Sequence, residues 1–134
     1  MTSLTLTLRL LAVAFIGVAA LHFFTGMQAD AMLGVPITPE MAAQPSLDSQ
    51  NRFYGISFSL LGVVLLLAVT DLRRYAPMVN AVLGVLFAAG VARGLAWFLH
   101  GAPVPAVVGI LCADLLLPPL LHVWLRKTMR QSAA

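Results

Sequence analysis

Charge is what this chain has least of. Lys and Arg number 8 and Asp and Glu 5, together 10% of 134 residues, against roughly a quarter in an ordinary soluble domain. With 60% hydrophobic residues and a mean hydropathy of +0.95, the composition excludes an ordinary soluble fold and points to a membrane protein. The formal charge is +3, but the basic residues are scattered, so no face suits a nucleic acid. Cysteine is nearly absent too. Cys112 alone offers no disulfide and no thiol pair for metal or redox work, and its apolar surroundings predict a buried, inert thiol. Also missing are a nucleophile elbow, a phosphate loop, a dinucleotide fingerprint and a zinc motif. The histidines lack paired metal spacing. No cofactor and no metal are therefore expected, and no motif assigns an enzyme class.

What is present is apolar length. A helix needs about 20 apolar residues to cross the hydrocarbon of a bilayer. Four stretches qualify, near residues 8–24, 53–70, 76–99 and 105–125. The reading is an all-α, integral membrane four-helix bundle, with residues 1–134 as one domain. The first stretch also has features of a signal peptide: Arg9 precedes a short apolar core, and "VAA" at Val18–Ala20 resembles a cleavage site.

Loop charges orient such a bundle. The first connection, residues 25–52, holds Asp30, Glu40 and Asp48 against Arg52. The second holds Arg73 and Arg74, the third ("HGAPVP") no Lys, Arg or acid, and the tail Arg126, Lys127 and Arg130. With Arg9, six of the eight Lys and Arg residues collect on one side, which predicts that both termini are cytoplasmic and the long connection faces outward.

Local signals add detail. "TPEM" predicts a short helix capped by Thr38 with Pro39 first, and "PSLDSQNRF" a second start capped by Ser46. Asp48 and Arg52 are four apart and can pair. Small residues four apart mark close helix contacts in lipid. Gly55 with Ser59, Gly84 with Ala88 and Ala92, and Gly90 with Gly94 fit that pattern.

Two ionisable residues lie well inside the apolar stretches, Arg93 and Asp114. Each is costly there and is expected to face protein, water or a partner. Counting from the outer ends, Arg93 lies about 9 Å and Asp114 about 14 Å deep, at 1.5 Å per residue. An arginine spans that difference, so a buried Arg93–Asp114 pair is expected. Trp97 and His100 follow Arg93 on one helix face, and Trp97 is positioned to stack on the guanidinium. His22, Arg52 and Tyr54 lie near the outer ends of the first two spans. Together these residues predict one polar network in the outer half, and the inner half has almost no polar residues before its basic flank. His122 is read as an interfacial residue. Pro118 lacks an N–H and so frees the carbonyl of Asp114, concentrating acceptors beside the acid.

The runs "NRFYG" at Asn51–Gly55, "ARGLAWFLHGAP" and "ADLLLPPLLHVWLRK" resemble the small bacterial membrane proteins of domain-of-unknown-function family 4345, over roughly residues 10–127. The resemblance implies a four-span bundle in a bacterial inner membrane. It points to Arg52, Gly55, Arg93, Gly101, Pro103 and Asp114, where the family more often has Glu than Asp114. It implies no reaction. A looser likeness to sterol-isomerase-like and DoxX-like proteins is one of fold alone.

The functional expectation is a non-catalytic accessory or assembly subunit, with the bilayer and a membrane-protein partner or a second copy as partners. The alternatives are a binder of a lipid-like or hydrophobic small molecule at the Arg93/Asp114 site, and an enzyme using Asp114 as general acid or base.

Overall fold

The computed structural model describes residues 3–131, which form six helices: α1 (Ser3–Thr25), α2 (Gln28–Met32), α3 (Pro39–Ala43), α4 (Pro45–Ala68), α5 (Leu72–His100) and α6 (Pro105–Gln131). Among the described residues there is no strand. Four helices, α1, α4, α5 and α6, are long and apolar enough to cross a membrane. The chain is thus an all-α bundle of membrane-spanning type. The short α2 and α3 lie in the connection between the first two spans.

The long helices pair as two antiparallel hairpins, α1 with α4 and α5 with α6. Small residues set the first contact. A Cβ on Gly55 would collide with the Cβ of His22, and one on Gly62 would lie 2.7 Å from the Ala12 carbonyl oxygen. Ala12 and Ala19 on α1 are fully buried opposite them. Gly55 and Gly62, like Ala12 and Ala19, are seven residues apart, two turns along one face. In the second hairpin a Cβ on Gly90 would come within 2.9 Å of the Leu115 side chain. Gly84, Ala88 and Ala92 prove to be exposed, and nothing lies within 4 Å of a Cβ built on Gly84 or Gly94. That small-residue stripe is therefore not a helix contact. Spacing marks a smooth face, but the larger apolar residues decide which face is buried.

All four spans meet in one core, and it occupies the half of the bundle nearer the termini. Leu4, Leu8 and Ala12 of α1 pack there with Leu65 and Ala68 of α4, Val79, Val82, Leu83 and Leu86 of α5, and Leu121 and Leu125 of α6. In the other half each hairpin packs mainly on itself.

Helix ends follow local chemistry. Thr38 caps α3 by accepting from the Met41 amide at 3.2 Å, with Pro39 first in the helix. The cap of α4 is Gln44, not Ser46: its Oε1 accepts from the Leu47 amide at 2.6 Å, and Pro45 takes the first helical position, so Ser46 falls inside the helix. Asp71 caps α5 through the Arg74 amide at 3.0 Å. Gly101, at φ 93°, ends α5 in a conformation that side chains rarely adopt. α6 continues through Pro118 and Pro119 without a break. Cys112 is exposed rather than buried, because it stands on the α6 face opposite the inward Leu111–Pro118–Leu121 stripe.

Candidate polar sites within the bundle

The core-facing stripes carry the polar residues. On α5 the buried positions Val79, Val82, Leu83, Leu86 and Gly90 continue at helical spacing to Arg93. On α6, Leu111, Pro118, Leu121 and Leu125 leave Asp114 on the same stripe. Where the shared apolar core ends, each stripe therefore presents a charge instead of a leucine. Arg93 Nε donates to Asp114 Oδ2 at 3.1 Å. The Asp114 side chain is 16% exposed and that of Arg93 35%. Gly90 allows this approach, since its Cβ would lie 3.0 Å from that of Asp114.

Asp114 is the only hydrogen-bond partner of Arg93 among the described residues. The guanidinium is thus held by one edge, and its two Nη groups have no protein acceptor. A planar guanidinium with free N–H groups can grip an oxygen acceptor on a ligand. Pro118 adds a second feature to the site, because the Asp114 carbonyl lacks its helical N–H donor.

A second polar group joins α1, α4 and the connection. Arg52 Nε donates to Asp48 Oδ2 at 2.7 Å, and its Nη1 donates to the Phe23 carbonyl. Asn51 Nδ2 donates to Asp30 Oδ2. His22 Nδ1–H donates to the Val18 carbonyl at 2.9 Å, while Nε2 faces Asp30 Oδ1 at 3.6 Å. Gly26, at φ 55°, lets the chain turn beneath this group; a Cβ there would collide with Asp48 Oδ1. Asn51 Oδ1 is buried with no partner. These bonds fasten the start of the connection to the α1–α4 hairpin.

The single outer network expected from the sequence is therefore two groups. No hydrogen bond or ion pair among the described residues joins Arg93–Asp114 to the group around Arg52 and His22. The hairpin pairing separates them, since α1 packs on α4 and α5 on α6. Trp97 does not stack on Arg93: it is 40% exposed, and the cation–π contact among the described residues is Arg74 over the Tyr75 ring at 5.3 Å. Tyr54 is exposed with its ring edge against Phe53. His100 is exposed on the last turn of α5, and Pro103 is half-buried in the following turn.

Sequence reasoning missed Asn80. His122 Nδ1–H donates to Asn80 Oδ1 at 2.8 Å, part-buried between α5 and α6, so the termini half does hold a polar pair and His122 is not merely interfacial. The signal was available. Asn80 is the only polar side chain between Tyr75 and Arg93, and the two residues lie at similar depth from the same ends of α5 and α6.

Among the described residues no cluster of three or more His, Cys, Asp or Glu could hold a metal ion. A shallow apolar groove of about 270 Å³, lined by Ile16, Ala19, Phe23, Phe24, Ile56 and Ser59 among others, runs along α1 and α4 in the half of the bundle farther from the termini. No curated protein and no solved structure matches the chain significantly. The model of a family described as a domain of unknown function (DUF4345) matches residues 3–125. That match spans nearly all of the chain, which accordingly belongs to the DUF4345 family.

Proposed function

We propose that this protein is a non-catalytic membrane protein that binds a lipid-like or hydrophobic small molecule at the Arg93–Asp114 site. One observation carries the reading: an arginine on a core-facing stripe is held by a single bond, with both Nη groups unengaged and 35% of its side chain accessible. A purely structural ion pair in hydrocarbon is better served by a two-point contact, since unmet donors are costly there. A ligand oxygen satisfies them.

The test is mass spectrometry of what co-purifies with the protein in a mild detergent. Wild type should carry a defined apolar species that is depleted in Arg93→Met, with helicity unchanged. The same species at the same occupancy in both proteins would refute the reading.

The orientation supported by charge is cytoplasmic termini. Arg9, Arg73, Arg74, Arg126, Lys127 and Arg130 cluster at the end where α1 begins and α6 ends, and Asp30, Glu40 and Asp48 lie at the other. The bacterial inner membrane is the compartment that the family resemblance suggests. An accessory-subunit role is the second reading. It rests on the exposed apolar faces, such as Leu116, Leu120 and Val123 on α6. Any bundle shows such faces to lipid, so the reading stands or falls with recovery of a stoichiometric partner in the same purification.

A further inference from the structure

We propose that the Arg93–Asp114 site selects an apolar molecule carrying an uncharged oxygen acceptor, such as a ketone, ester or amide carbonyl, and rejects one with an anionic head. This inference rests on the ligand-binding reading above and names the chemical class of the ligand.

The argument is one of charge balance. Asp114 Oδ2 lies 3.1 Å from Arg93 Nε, so the site is neutral before any ligand arrives. The free Nη groups can donate to a carboxylate or to a carbonyl with similar geometry. A carboxylate, however, brings a second negative charge beside Asp114. The site would then hold a net charge in surroundings that solvate it poorly, and unpaired charge in an apolar medium is what such sites avoid. A carbonyl oxygen accepts the same N–H groups and leaves the balance untouched.

No other cation is placed to rescue an anion. On α5 the nearest other Lys or Arg is Arg74, about 28 Å along the helix at 1.5 Å per residue, and His100 stands exposed on the last turn, about 10 Å away by the same measure. On α6 the nearest Lys or Arg is Arg126, about 18 Å from Asp114, and His122, about 12 Å away by the same measure, is bonded to Asn80. Arg52 is already engaged by Asp48 and by the Phe23 carbonyl. His22 sits against Asp30 in that second group.

The free Asp114 carbonyl sharpens the class. It is an acceptor that Pro118 leaves without its helical donor, so a ligand with a hydroxyl or amide N–H close to its carbonyl can bond at both points. A carbonyl flanked by a donor, on a long apolar body, is the best chemical match.

The experiment uses the full chain in a non-ionic detergent and three probes of equal chain length: methyl hexadecanoate, hexadecanesulfonate and hexadecane. Native mass spectrometry reads the bound fraction. Wild type should favour the ester over the sulfonate by about tenfold or more, a factor equal to one 1.4 kcal/mol step in binding energy. Asp114→Asn keeps the shape and removes the negative charge, so it should reverse the order. Arg93→Met should bring ester and sulfonate down to the level of hexadecane. A wild-type preference for the sulfonate overturns the charge-balance inference, and it needs no variant to fold. So does an order unchanged by Asp114→Asn. If Arg93→Met still weakens both headed probes in those cases, the ligand-binding reading survives alone. If all three probes bind alike in wild type and in Arg93→Met, the binding reading itself fails.

Discussion

The Arg93–Asp114 pair invites a double-mutant cycle with Arg93→Met, Asp114→Leu and the combined variant, each replacing a charged side chain by an apolar one. Unit charges about 4 Å apart interact by about 1 kcal/mol in water and about 4 kcal/mol at an effective dielectric of 20. Asp114 is 16% exposed and Arg93 35%, so solvent screens the arginine end and the coupling should lie between those limits, at about 1–3 kcal/mol. The single variants should differ. Arg93→Met strands the more enclosed carboxylate and should cost about 2–4 kcal/mol. Asp114→Leu strands a long, flexible cation whose head can move toward the interface, and should cost about 1–2 kcal/mol. The double variant should recover much of the loss, because an apolar pair fits an apolar stripe. Unfolding in mixed micelles with increasing dodecyl sulfate, followed by far-UV circular dichroism, measures all four proteins. Additive effects, with coupling below about 0.5 kcal/mol, would show that the contact does not hold the helices. A larger loss for Asp114→Leu than for Arg93→Met would refute the burial argument.

Three further outcomes are expected. Gly62→Ala drives a Cβ against the Ala12 carbonyl and should destabilise the α1–α4 hairpin by about 1–3 kcal/mol, whereas Gly84→Ala meets nothing within 4 Å and should be neutral or stabilise by about 0.5–1 kcal/mol; equal effects in the same unfolding assay would contradict the packing. Arg52→Ala should loosen the start of the connection, so that limited proteolysis between Gly26 and Gln44 speeds up while the spans stay intact. Hydrogen bonds from its own backbone and from Thr38 hold the Glu40 carboxyl below the usual carboxylate range. A lowered folded-state value stabilises the ionised form, so amide protection in α3 should be full at neutral pH and fall as acid titrates Glu40. Protection that rises on acidification would reverse the sign of that linkage.

The pattern of what could be read beforehand has a physical logic. Apolar length alone marked the four spans, because crossing hydrocarbon depends on each segment's own transfer free energy. The Thr38 cap and the Asp48–Arg52 pair were also legible, since both are contacts within one or two turns. Ser46 was misassigned because Gln44, two residues earlier and a less usual cap, holds the Leu47 amide. Arg93 and Asp114 could be matched by depth because α5 and α6 are joined by a short turn, which leaves little freedom of register. The same reasoning would have found Asn80 opposite His122.

Depth says nothing about which helix faces which. His22 and Arg52 lie on α1 and α4, and whether they share a site with Arg93 depends on how the hairpins pack. That choice was made by Gly55 and Gly62 against Ala12 and Ala19, where two helices approach too closely to admit a Cβ. The sequence by itself determined that the chain crosses an apolar medium four times and that its charges need partners. Only the tertiary structure decided who the partners are, dividing the polar residues into a fastened group at the connection, the half-open Arg93–Asp114 pair and the Asn80–His122 pair nearer the termini. Composition sums over residues, whereas partnership requires the phase of one helix against another.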